Sequence, residues 1–189
     1  MKVSNKSLWT TVTIGSSVGL IASLIQTIER INSALNPKVA LSCDLNSIFS
    51  CTNVFNAWQS RVFGFSNSLI CMIFFATTAG LALAALTGSK LNLKLRYVFQ
   101  FFSVFFLAFG AWYLWQSTFR IGYICIFCIF CYSAVIAMNW AWFRINYKDY
   151  KLSKNMKTKI QQFVDNGGDI FIAIIWAIVI AAMIIFKFW

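Results

Sequence analysis

Four of the six cysteines in this chain fall into two spaced pairs, and paired thiols are the most reactive chemistry its residues offer. Cys43 and Cys51 lie in a polar segment, while Cys125 and Cys128 form a C-x-x-C (Cys-Ile-Phe-Cys) at the start of an apolar run. A thiolate attacks a disulfide sulfur through a mixed disulfide, so two pairs that can meet will pass electrons from one to the other. Residues three apart share a helix face. A thiol near a helix N-terminus gains thiolate character from the free N–H groups there, although burial among Phe and Ile opposes this. Arg120, a few residues earlier, works with the helix terminus. The chain contains no histidine, which excludes a hydrolytic triad. Near the thiols, proton transfer falls to Asp44, Glu29, Tyr113, Tyr123, Tyr132, bound water or the substrate.

Two blander readings compete with a relay. Structural zinc usually takes close Cys pairs or added His, and Cys43 and Cys51 are spaced more widely than a zinc knuckle, so no metal is expected. A purely structural Cys43–Cys51 disulfide is the stronger rival, but it leaves the second pair without a purpose. Cys71 and Cys131 sit among apolar residues and read as small packing side chains.

These thiols must be positioned by helices in a membrane. Only 11% of the 189 residues are charged and 60% are hydrophobic, against roughly a quarter charged in a soluble domain. Five apolar runs, at about 8–35, 68–88, 95–117, 123–143 and 170–186, approach or exceed the ~20 residues a spanning helix needs. Their unbroken character excludes a spanning barrel, which alternates. The first run is too long for a signal-peptide core, and its Gly15, Ser16, Ser17, Gly19 and Ser23 suit close helix contact. The expectation is a single all-α integral membrane domain over 1–189, with the last helix serving as packing or anchor.

Between the first two runs, a loop over 36–67 carries a short helix, capped by Ser50 or Thr52 and running to about Arg61. Val54, Phe55, Trp58 and Val62 give that helix an apolar stripe suited to lying flat over the bundle mouth. Charge orients the whole. Lys2, Lys6, Lys90, Lys94, Arg96, Arg144, Lys148, Lys151, Lys154, Lys157 and Lys159 gather on one side; Arg30, Lys38, Arg61, Arg120 and Lys187 on the other. The positive-inside bias then puts the N-terminus in the cytoplasm and both thiol pairs at the extracytoplasmic face, where disulfides persist. The stretch 144–159 is expected to lie against anionic headgroups. The formal charge of +11 therefore speaks for a bilayer, with no nucleic-acid partner.

Taken in order, Cys43-Asp44, Cys51, Phe63-Gly64, Asn67-Ser68, Cys125-x-x-Cys128 and Tyr132 resemble the vitamin K epoxide reductase family over the first four spans. The fifth span, with its outward C-terminus, is similar to the bacterial branch, whose members are quinone-linked disulfide generators. No fused thioredoxin-like domain is expected. The resemblance implies a four-helix bundle around a quinone pocket, capped by the loop helix, plus a fifth transmembrane helix. It implies that Cys43 and Cys51 shuttle electrons from a separate DsbA-type, thioredoxin-like partner, that Cys51 exchanges with Cys125, and that Cys128 faces a menaquinone or ubiquinone. Asn67 and Tyr132 match positions that hydrogen-bond the quinone oxygens. The implied location is the cell inner membrane. The same resemblance admits a second activity, reduction of a quinone or vitamin K epoxide with thiols as donor. Three positions depart from the usual pattern: Ser66 replaces a proline, Cys71 a glycine, and Ala57 a small hydroxyl residue.

Overall fold

The structure is a computed structural model that describes residues 3–36 and 41–189. Lys2 and Lys38, two of the charges that orient the chain, lie outside the described residues, as do residues 37–40 of the expected loop. Among the described residues, five helices are long and apolar enough to cross a membrane. These are α1 (Asn5–Leu35), α3 (Asn67–Leu86), α4 (Leu93–Gln116), α5 (Ile126–Asn146) and α7 (Gly168–Phe188). Two shorter helices complete the order, α2 (Cys51–Asn56) in the loop and α6 (Lys154–Asp165) at the opposite end.

α1 packs against both α3 and α5, and α4 packs on α5. The small residues of α1 permit this approach, with Gly15, Ser16, Gly19, Ala22 and Ser23 all buried. Bulk fills the space they leave. Val12, Met138 and Trp142 are fully buried, Trp9 meets Trp142 edge-on at 5.3 Å, and Phe74 stacks on Phe106 at 4.5 Å. α7 lies at the periphery, touching α5 and the turn after α4, and leaves Phe171, Ile172, Ile174 and Ile178 exposed. Such a face suits lipid rather than water.

Two departures from the sequence reading occur at the cysteine end. The fourth span begins at Ile126 rather than 123, because Ile124 is extended and pairs with the loop through a parallel bridge to Phe49. Its N–H donates to the Ile48 carbonyl at 2.9 Å and its carbonyl accepts from Ser50 N–H at 3.2 Å. Before it, α4 ends in a wide π turn (Ser117–Ile121) closed by Gly122 at φ 77°, a conformation in which a Cβ is costly. The loop helix is also shorter than expected. It breaks at Ala57, whose backbone is extended, and resumes as a 3₁₀ turn over Trp58–Arg61. That break splits the expected apolar stripe: Val54 and Phe55 are buried, while Trp58 is 64% exposed.

Candidate active site

Backbone pairing explains why the two cysteine pairs meet. The bridge joins Phe49 to Ile124, and the two residues that immediately precede Cys51 and Cys125 are hydrogen-bonded to each other, Ser50 N–H to the Ile124 carbonyl. Cys51 opens α2, where Ser50 caps the helix by accepting from Asn53 N–H. Cys125 holds the N-cap position of α5. The bridge therefore brings two helix N-termini together, each with a sulfur at its head. Cys43 and Cys51 are joined as a disulfide, and Cys125 and Cys128 are free thiols. Cys125 Sγ lies 3.5 Å from Cys51 Sγ, and Cys43, Cys51 and Cys125 are all shielded from solvent.

Asp44 holds the loop in this shape. One carboxylate oxygen accepts from the Ser50 hydroxyl at 2.9 Å and from Thr52 N–H at 3.1 Å; the other accepts from the Thr52 hydroxyl and from Leu41 N–H. Burial pushes its carboxyl pKa up, but the bonds from Thr52, Ser50 and Leu41 outweigh burial and hold it below the ordinary value. From the bundle, Arg30 of α1 donates to the Phe55 carbonyl at 2.6 Å and to the Ser60 hydroxyl at 3.0 Å. Its guanidinium also lies over the Phe55 ring. This cation thus pins the loop helix to the mouth of the bundle.

Cys128 stands in the first turn of α5, its N–H donating to the Cys125 carbonyl at 3.1 Å. It faces a cavity of about 70 Å³ whose walls include Phe55, Phe75, Phe106, Phe109, Leu114 and Val135. Asn67 and Tyr132 line the same cavity, as do Gln26 and Tyr113. Gln26 Nε2 donates to Cys128 Sγ at 3.4 Å. Asn67 Nδ2 donates to the Gln59 carbonyl at 2.7 Å, and its Oδ1 is buried with no hydrogen-bond partner among the described residues. The Tyr132 hydroxyl accepts from Trp176 Nε1 at 2.7 Å. Its ring lies against Gly110, where any Cβ would fall 2.5 Å from Tyr132 Cδ2.

The structure extends one sequence reading here and adds two residues. Cys71 and Cys131 pack against the core as expected, yet both also line the cavity beside Cys128. Gln26 and Trp176 were not singled out by sequence. Gln26 had a signal, being an amide inside an apolar run. Trp176 had none, as one tryptophan among eight in the chain.

Such an arrangement can exchange a disulfide between the loop and α5, and can pass two electrons from Cys128 into an apolar chamber. No curated protein matches the chain significantly. The family pattern described as the vitamin K epoxide reductase family matches residues 10–143, which take in α1 through most of α5. With that match over most of its length, the chain belongs to the vitamin K epoxide reductase family, as a membrane thiol–disulfide oxidoreductase of that kind.

Proposed function

We propose that this protein oxidises a separate thioredoxin-like, DsbA-type partner at the extracytoplasmic face of the inner membrane and delivers the electrons to a quinone. The carrying observation is the 3.5 Å approach of Cys51 and Cys125, with Cys128 on the cavity side of the same motif. The partner's dithiol reduces the Cys43–Cys51 disulfide through a mixed disulfide. The Cys51 thiolate then attacks Cys125 of an oxidised Cys125–Cys128 pair, forming Cys51–Cys125 and releasing the Cys128 thiolate. Cys43 attacks Cys51, which closes the loop disulfide again and frees Cys125. Each step exchanges one S–S bond for another, so the direction is set by the supply of oxidant.

The residues at the cavity suit a quinone head group. A quinone oxygen accepts hydrogen bonds and a quinol hydroxyl also donates them. Tyr132 supplies a hydroxyl donor, while Asn67 offers both a spare amide hydrogen and an unpartnered oxygen. The surrounding aromatic and aliphatic walls suit the rest of the ring. The cavity is small beside typical ligand pockets of ~300–1,000 Å³, so on this reading its walls must widen to take the head group. A bound quinone takes up two electrons and two protons, restoring the Cys125–Cys128 disulfide.

The full-length protein in detergent, given a reduced DsbA-type protein and a short-chain ubiquinone, tests this. Cys43→Ala should accumulate a Cys51–Cys125 disulfide, identified by peptide mass spectrometry, and Cys128→Ser should stop quinol formation. Normal quinone consumption by Cys128→Ser sinks the relay. Deleting the protein separates the roles: loss of disulfides in exported proteins supports partner oxidation, whereas altered quinone chemistry alone would instead support reduction of the quinone or its epoxide as the purpose.

A further inference from the structure

α7 lies beyond the matched family region and turns most of its surface outward, so its chemistry drew no attention from sequence. One polar contact separates it from a simple anchor. Trp176 Nε1 donates to the Tyr132 hydroxyl oxygen at 2.7 Å, on a tyrosine that is only 5% exposed and lines the cavity with Cys128. An indole N–H can only donate, and a phenol has one hydrogen and an accepting oxygen. With its oxygen occupied from the α7 side, Tyr132 must aim its own hydrogen elsewhere. Accepting a hydrogen bond also polarises that O–H and makes it a stronger donor. The ring is seated against the bare backbone of Gly110 on α4, where a side chain would displace it.

α7 is itself held in register. Asp169, about two turns before Trp176, accepts from Trp140 Nε1 at 2.8 Å and pairs with Arg144, both on α5. The two contacts fix the rotation and height of α7 against the helix that carries Cys128 and Tyr132.

We infer that Trp176 is a positioning residue for the electron-acceptor site, holding the Tyr132 hydroxyl as a donor into the cavity. This assigns α7 to the site. The inference rests on the quinone reading given above, and its test separates the two.

The full-length protein in lipid nanodiscs is assayed with a short-chain ubiquinone, comparing Trp176→Phe, Tyr132→Phe, the double variant and Ile178→Ala, a lipid-facing control on the same helix. Trp176→Phe should raise KM for the ubiquinone about three- to tenfold, the scale of one hydrogen bond. The double variant should be no worse than Tyr132→Phe. Reduction of the Cys43–Cys51 disulfide by dithiothreitol, which needs no quinone, should keep its rate in every variant. Ultraviolet resonance Raman difference spectra should show one indole N–H losing its bond in Tyr132→Phe. A raised KM in Tyr132→Phe with an unchanged one in Trp176→Phe overturns the role of Trp176 alone. An unchanged KM in Tyr132→Phe overturns both that role and the quinone contact of Tyr132. A slowed disulfide reduction in Trp176→Phe shows a structural part only, and also overturns the inference.

Discussion

At the scale of single residues, Asp44 ties both arms of the disulfide-closed loop, accepting from Leu41 before Cys43 and from Ser50 and Thr52 around Cys51. Its carboxyl titrates below the ordinary value, so the sign of its pH effect follows. A depressed folded-state pKa gives stability that is complete above the unfolded value and lost as pH falls through the folded one. The loop should therefore hold its shape through neutral pH and loosen only below about pH 4. Asn in place of Asp44 would turn an N–H toward a donor and lose part of the network. Asp44→Asn should destabilise the loop by roughly 1–3 kcal/mol, seen as faster hydrogen exchange over residues 41–52 at neutral pH. Unchanged exchange would show that the disulfide alone shapes the loop. Sequence made the four cysteines legible because their spacing is itself a chemical pattern. It named Asp44 for proton transfer and within the Cys43-Asp44 pattern but left its network unread, since hydrogen bonds across a loop have no signature in spacing. Thr52, one of two candidate caps, turns out to donate to Asp44, and Ser50 does the capping.

At the scale of helices, hydropathy told the five spans well, because a bilayer demands length and apolarity whatever the packing. It told their ends less well. The start of α5 moved because Ile124 spends its backbone on a strand-like bridge, a long-range pairing with no local signature. The role of α7 was unread for a related reason: its chemistry lies in partners on another helix. Arg144 and Asp169 are nearly sealed from solvent, their side chains only 3% and 4% exposed. Arg144 also donates to the Val164 carbonyl at 3.1 Å and lies over the Trp140 ring. Removing one partner of such a buried pair leaves the other charge without its counter-ion, whereas replacing both with apolar groups is often nearly neutral. Asp169→Leu should thus cost about 3–5 kcal/mol, read as a lower thermal unfolding midpoint in detergent. Arg144→Met with Asp169→Leu should recover most of that loss. A double variant as weak as the single one would mean that the surrounding polar groups need the charges.

At the scale of the whole molecule, charge and chemistry are segregated to opposite ends of one bundle. Lys6, Lys90, Lys94, Arg96, Lys148, Lys151, Lys154, Lys157 and Lys159 belong to the end away from the cysteines, where Arg96 pairs with Asp149. The helix α6 carries three of these lysines, with Met156 and Phe163 exposed among them, a composition suited to an interface with anionic headgroups. The cysteine end has only Arg30, Arg61, Arg120 and Lys187 among the described residues, and Arg30 is engaged with the loop. Because basic residues near spanning helices are retained in the cytoplasm, this asymmetry supports the orientation proposed for the relay. In that proposed orientation the thiol pairs face exported proteins and the opposite end lies in the reducing compartment. The expectation can be checked without any assay of activity. With the native cysteines replaced by serine, Leu45→Cys and Lys157→Cys each present one exposed thiol, one at each end of the bundle. In intact bacterial cells a membrane-impermeant maleimide should label the Leu45→Cys protein at once and the Lys157→Cys protein only after permeabilisation. Labelling in the reverse order would put the loop in the cytoplasm, where its disulfide would face a reducing pool and the proposed flow of electrons would have no exported substrate.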